Sequence, residues 1–352
     1  MRVNTAILRT HAGPPRHSFT DPDEDTLTLS PLAVALAVAL AALLVPAGPV
    51  HAQPAPRPFR VGVLNEAWAA NHPTVEGLKV GLRDLGLVES RDVTFDIRFT
   101  EGKPGATPAA AQALVKAGVD LIFTSNEAAT TAARDATREI PIVFTLVGDP
   151  ITSGIVASLA RPGGNLTGIS NLSTELTPKR LEVLKTIAPG LRRVWFVYYG
   201  GDVTDSAALA KTLEASARLK VTVVPRTVKD GAELIQVLAG LQAGDGLLAP
   251  FIDTLDIPAT MLETSLAGRI PAVFPTALWV GHGGLVSYGP DFHAQGIQAA
   301  RLVAKILKGA RPRDLPVEGA EKIDLAVNLK TASLLGIPVP RKILLRADGV
   351  YR

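Results

Sequence analysis

Leu121-Ile-Phe-Thr-Ser-Asn-Glu-Ala-Ala-Thr-Thr-Ala-Ala-Arg-Asp-Ala-Thr-Arg-Glu-Ile-Pro-Ile-Val-Phe-Thr-Leu146 carries the fold in miniature. Leu121–Thr124 and Ile142–Leu146 are short, nearly continuous apolar runs, the pattern of strands buried on both faces. Between them, Ala128–Thr137 is dominated by alanine, the strongest helix former, and Ser125 and Asn126 stand where an N-cap belongs. Strands separated by a helix need a crossover, so this pair is expected to run parallel in a covered sheet.

The alternation continues in both directions. Upstream, strands over 59–64 and 93–99 flank a helix over 73–85 that stops near Gly86, and a helix over 108–117 follows. Downstream, strands are expected at 193–199, 221–226, 246–250, 272–274, 285–288 and 323–327. Helices at 206–219, 232–239, 258–267 and 292–307 lie among them, and a short helix ends the series. The stretch 164–174, rich in Gly, Asn, Ser and Thr, lacks strong periodicity and divides the strands into two sets. The expected fold class is α/β, with two Rossmann-like, doubly wound lobes of similar size. Ligands of open parallel sheets bind beyond the carboxyl ends of the strands, and in two lobes those ends can face each other across a cleft.

Residues 27–53 are of another kind. An uncharged Ala/Leu-rich run from Pro31 to about Ala47 ends in the breakers Pro46, Gly48 and Pro49, followed by Val50-His51-Ala52, with small residues at −3 and −1 of a signal-peptidase site. This predicts a secretory signal over 1–52, cleaved near Ala52; the alternative is one membrane anchor, for which such a run is just long enough. Asp21, Asp23, Glu24 and Asp25 precede the apolar run, where positive charge is usual. Gln53-Pro-Ala-Pro-Arg-Pro58 is a stiff, extended linker. Without the leader's three arginines and four acids, the formal charge of +3 becomes +4, thinly spread, and no nucleic-acid partner is expected. The absence of cysteine excludes disulfides, thiolate metal sites and a cysteine lipid anchor, so a cleaved product would be free in a periplasm.

Catalytic signatures are missing. The first strand-to-helix turn, Asn65-Glu66-Ala67-Trp68-Ala69-Ala70-Asn71, has no glycine for close approach of a dinucleotide pyrophosphate. Neither a Gly-x-x-x-x-Gly-Lys-Ser/Thr loop nor a Gly-x-Ser-x-Gly elbow occurs. His72, His282 and His293 are isolated, without metal-ligand spacing. No enzyme, cofactor or metal is expected.

Polar and aromatic side chains gather at the strand ends instead. Asn65, Glu66 and Trp68 follow the first strand; Ser125, Asn126 and Glu127 the third; Gly148 and Asp149 the fourth. In the second series Tyr198 and Tyr199 close one strand, Phe251 and Asp253 follow another, and Thr276, Trp279 and Tyr288 complete the set. Helix starts offer free N–H groups and a positive dipole end, and aromatics offer flat apolar walls, the ordinary make-up of a small-molecule site. The same residues also have structural readings: Ser125 and Asn126 as N-caps, Gly148-Asp149-Pro150 as a turn, the aromatics as packing, Glu66 and Asp253 as solvated acids.

Several segments, in order, then point to one family. They are Gly77-Leu-Lys-Val-Gly-Leu-Arg-Asp-Leu-Gly86, Ile140-Pro-Ile-Val-Phe144, Gly148-Asp-Pro150 and, most distinctive, Ser158-Leu-Ala-Arg-Pro-Gly-Gly-Asn-Leu-Thr-Gly168. Lys179-Arg-Leu-Glu182, Ser287-Tyr-Gly-Pro-Asp291, Ile306-Leu-Lys-Gly309 and Val327-Asn-Leu-Lys-Thr331 with Leu335-Gly336 complete the series. From about residue 59 to 350 the chain resembles the substrate-binding proteins of ABC transporters, in the family that includes tryptophan-binding TrpX-type proteins. The resemblance implies a type I periplasmic-binding-protein fold that closes over a solute and delivers it to a membrane permease. It also implies an aromatic or other amino acid as solute and a monomeric protein. By analogy with that fold, lobe 1 comprises 59–170 and 288–316, and lobe 2 comprises 171–287 and 317–352. Relatives often have Gly-Thr-Pro where this chain has Ser125-Asn126-Glu127; either Glu127 turns outward, or the ligand presents a cationic or hydroxyl group there. A ligand-sensing subunit for a membrane receptor and an exported α/β enzyme are the alternatives.

Overall fold

The computed structural model describes residues 57–66, 71–101, 103, 105–251 and 257–352. The leader, most of the linker, Trp68 and Asp253 lie outside the described residues. The first lobe begins with β1 (Phe59–Asn65), α1 (Pro73–Asp84), β2 (Val93–Phe99), α2 (Ala106–Ala117), β3 (Leu121–Ser125), α3 (Glu127–Ala136), β4 (Ile142–Val147) and β5 (Leu166–Ser170). The chain then builds α4 (Ser173–Ile187), β6 (Arg193–Tyr199), α5 (Val203–Leu219), β7 (Thr222–Val228), α6 (Gly231–Leu238) and β8 (Asp245–Leu248). The second lobe continues with α7 (Ile257–Gly268), β9 (Ala272–Phe274), α8 (Ala277–Gly281) and β10 (Val286–Pro290). It returns for α9 (Phe292–Leu307), a 3-10 turn and β11 (Glu318–Gly319), and ends with β12 (Ile323–Asn328), α10 (Leu329–Leu334), α11 (Arg341–Leu344) and β13 (Gly349–Tyr351).

Two sheets result. The six-stranded one has the order β11-β5-β4-β3-β1-β2 and is parallel throughout; the seven-stranded one has the order β13-β12-β10-β9-β8-β6-β7 and is parallel except between β10 and β12. β3 and β4 pair in parallel, Ile122 opposite Ile142 and Ser125 opposite Thr145, as the apolar runs require. Both sheets start in the middle and wind outward both ways, so each has a switch point where successive crossovers leave on opposite faces: β1/β3 in the first and β6/β8 in the second.

Each sheet is covered on both faces. In the first lobe Leu78 and Leu82 of α1 and Leu302 and Val303 of α9 bury against Val61, Val63 and Phe123, while Leu114 of α2 and Ala129 and Ala133 of α3 cover Leu64, Ile122 and Phe144 on the other side. Each such large apolar side chain contributes about 1.5–3 kcal/mol by leaving water. Helices α1 and α9 cross closely because Gly77 faces the His293 carbonyl and Gly296 faces that of Thr74, leaving no room for a Cβ on either side.

The chain passes between the sheets three times. The first passage lies between Ser170 and Ser173, inside the stretch read as a junction, which in fact supplies a fully buried strand, β5. Tyr288–Pro290 belong to β10 of the second sheet, so the second passage falls at Asp291 rather than at 288. β11 pairs with β5, so the third lies between Gly319 and Ile323 rather than at 316.

Candidate functional site

A cavity of about 520 Å3 opens between the lobes at the two switch points. Glu66 after β1 and Asn126 and Glu127 at the start of α3 line one side; Tyr199 at the end of β6 and Phe251 beyond β8 line the other. Leu146 and Gly148 from the end of β4, and Asp202 and Thr204 from the start of α5, complete its inner wall. A smaller depression of about 360 Å3 lies along α1 and α9, among Asp84, Arg301 and Lys322, and touches no end of a parallel strand.

The first lobe's side is built by a chain of hydrogen bonds. Ser125 Oγ donates to Asn65 Oδ1 at 3.0 Å, and both residues are buried beneath the surface of the cleft. Asn126 accepts from the Ala129 N–H at 2.8 Å through Oδ1, capping α3, and donates from Nδ2 to Glu66 Oε2 at 2.9 Å. Glu66 Oε1 accepts from Thr107 Oγ1 at 3.1 Å. Asn126 holds φ +107° and Leu146 holds φ +58°, positions that non-glycine residues rarely adopt; at Leu146 the β4–β5 register slips between Phe144 and Val147. This bulge carries the strand end to the cavity.

Glu127 is turned inward. It lines the cavity half-buried, and burial pushes its pKa up to about 7, helped by Asp202 across the gap and by Asp149, while the Thr204 and Ser153 hydroxyls pull the other way. The Thr204 hydroxyl stands near enough to favour the charged form of Glu127, yet completes no hydrogen bond of ordinary geometry. Asp202 caps α5 by accepting from the Asp205 N–H at 3.0 Å. Asp149 is held within its own turn: it accepts from the Ile151 and Thr152 N–H groups at 3.2 and 3.1 Å and from Thr152 Oγ1 at 2.8 Å. Burial alone would push the Asp149 pKa up, but these bonds and one from Thr174 outweigh it and hold the carboxyl below the usual range.

The remaining expected residues lie elsewhere. Tyr198 points into the second lobe's core, stacked on Phe196 with centroids 5.2 Å apart, because successive residues of a strand face opposite ways and Tyr199 takes the cleft side. Tyr288 packs partly buried against the same core, and Trp279 packs on Phe274. Thr276 precedes α8, buried, without capping it. The cavity therefore brings together Glu66, Asn126, Glu127, Gly148, Tyr199 and Phe251, with Asn65, Ser125 and Asp149 behind them. Asp202 and Thr204 were missed because the helix was expected to begin at Ser206; an Asp three residues before Asp205 is an N-cap signal that places the start earlier. Among the described residues no cluster of His, Asp or Glu could hold a metal, and no helix is long and apolar enough to cross a membrane.

Two doubly wound lobes with a solute-sized cavity at their facing switch points define a binding protein of the type I periplasmic class. The model of the family described as ABC transporter substrate binding protein matches residues 67–351, and the chain belongs to that family, whose members bind solutes rather than transform them. A tyrosine-binding protein of Clostridioides difficile is 27% identical over 271 residues, covering 75% of this chain and 78% of that protein. A crystal structure of a conserved domain protein from Vibrio cholerae superposes with a TM-score of 0.76 at 27% identity, covering 84% of this chain and all of that one. A Streptococcus pneumoniae ABC domain in complex with L-Trp shares the fold, with a TM-score of 0.77 at 24% identity over 84% of this chain and all of its own.

Proposed function

We propose that this protein is the extracytoplasmic solute receptor of an ABC importer. It binds one small organic solute with an amino group and a flat apolar body, in the size range of an aromatic amino acid, and hands it to a membrane permease. The observation that carries this reading is the cavity itself: hydrogen-bonding groups anchored in the first lobe face two aromatic rings of the second, at both switch points at once. Only closure lets both walls touch the solute, so the solute favours the closed arrangement by the energy of the contacts it gains there. The tyrosine named for the Clostridioides relative agrees with an amino-bearing aromatic solute. The apolar leader ending at Ala52 supports export and cleavage, which would leave a free periplasmic monomer.

Calorimetric titration with amino acids, amines and sugars, followed by small-angle scattering with whichever binds, tests the reading. Saturable one-to-one binding with a decrease in radius of gyration is expected, together with loss of ATP-dependent uptake of that solute when the gene is deleted. Binding without compaction would refute closure. Uptake left intact by the deletion, alongside loss of a cellular response to the solute, would make the protein a sensor.

A further inference from the structure

Resting on the reading of the inter-lobe cavity as the solute site, we propose that its solute is a small organic cation: an ammonium group on an aromatic body, without a carboxylate. The cavity wall carries the carboxylates of Glu66, Glu127, Asp135 and Asp202 and no Lys, Arg or His. Only Asp135 has a cationic partner, Arg134 at 3.3 Å; among the described residues Glu66, Glu127 and Asp202 form no ion pair.

The two helix starts that would ordinarily attract a ligand carboxylate are already occupied. Asn126 caps α3 and Asp202 caps α5 through their own side-chain oxygens, and Glu127 adds a further acid to the first turn of α3. Glu127 of one lobe and Asp202 of the other act on each other across the gap, so bringing the lobes together brings like charges together. A cation between them turns that repulsion into attraction, whereas the carboxylate of an amino acid would add a further negative charge. Thr204, 5% exposed and lining the cavity, keeps a hydroxyl without a properly formed hydrogen bond, an acceptor ready for an ammonium N–H. Tyr199 and Phe251 line the cavity with aromatic rings, a type of side chain that attracts both a cation and a flat apolar body.

Matched pairs test this. At pH 8, where Glu127 is mostly ionised, calorimetry compares tyramine with tyrosine and tryptamine with tryptophan. Each amine is expected to bind at least tenfold more tightly than its amino acid. Glu127→Gln and Asp202→Asn, the latter still able to cap α5, are expected to reduce that preference several-fold without changing the melting temperature by more than a few degrees. Amino acids binding as tightly as their amines, or more so, would overturn the cation assignment and leave the solute-receptor reading standing. No saturable heat with any of the four would overturn the aromatic-cation assignment, and the solute-receptor reading would fall only if the wider titration with amino acids, amines and sugars also gave none.

Discussion

At the scale of single residues, His72 shows how a local cap becomes a pH response. The ring precedes α1, accepts from the Thr74 N–H at 3.3 Å through Nδ1 and stacks on Phe292 with centroids 5.7 Å apart. Burial pushes its pKa from 6.5 down to about 4, and the capping bond itself requires the neutral ring. The sign follows from that depression. Below pH 6.5 the unfolded chain takes up a proton that the folded chain refuses until about pH 4, so the stabilisation is complete above 6.5 and declines as the pH falls toward 4. The full shift corresponds to about 3 kcal/mol, less in practice because the ring is partly exposed. His72→Asn keeps an acceptor at the cap but has no titrating ring. Denaturant unfolding between pH 7 and 4 is therefore expected to give a shallower acid decline for the variant; parallel curves for the two proteins would refute the assignment.

At the scale of elements, α4 and α5 enclose opposite charges. Arg180 on α4 is completely buried, donates to Thr177 Oγ1 and leaves Nε and Nη1 without partners. Asp205 in the first turn of α5 is also buried, with Oδ2 unpartnered. Burial lowers the arginine's pKa to about 10 and raises that of the aspartate well above its usual range, while each partly offsets the other's penalty. Removing one charge strands the other, so Arg180→Met and Asp205→Leu are each expected to cost about 3 kcal/mol or more. The double variant should cost much less than the two losses combined; simple additivity in urea unfolding would show that the two charges do not interact. From the sequence α4 was missed altogether, and α5 was expected to begin at Ser206, past the N-cap signal of Asp202. Polar Ser and Thr open α4 and Pro178 lies inside it, which disguises its period. β5 reads Leu-Thr-Gly-Ile-Ser, a loop by composition, and is a strand because Gly168 lets it lie against the Phe144 carbonyl and ring. The apolar central strands and the polar residues that follow β1 and β3 were legible, since a buried parallel strand announces itself by composition and the site follows from topology. The phase of β6 was not, because Tyr198 and Tyr199 are alike in type and only the core decides which of them turns inward.

For the whole molecule, the proposed closure over a solute depends on how closely the lobes can approach, and one contact between them bears on that. Gly148 follows β4 in the first lobe, and a Cβ there would run into the Cγ2 methyl of Thr204, which begins α5 in the second. The Gly148 carbonyl also accepts from the Ser173 N–H and from Ser170 Oγ, each at 3.2 Å, beside the first passage between the sheets. The glycine therefore sits beside the first passage between the sheets and at a contact between the lobes. Adding a methyl at such a contact costs about 1–3 kcal/mol, and here the cost falls on the closed arrangement while the separated lobes are spared. A penalty of about 1.4 kcal/mol on the binding-competent state weakens apparent affinity roughly tenfold. Gly148→Ala is thus expected to lower affinity by about that factor, to reduce ligand-induced compaction in scattering, and to leave the melting temperature of the free protein nearly unchanged. Adding Thr204→Ser removes the opposing methyl and keeps the hydroxyl, so the double variant should recover most of the lost affinity. Failure of that rescue, with both variants folded, would mean that the closed state does not depend on this approach.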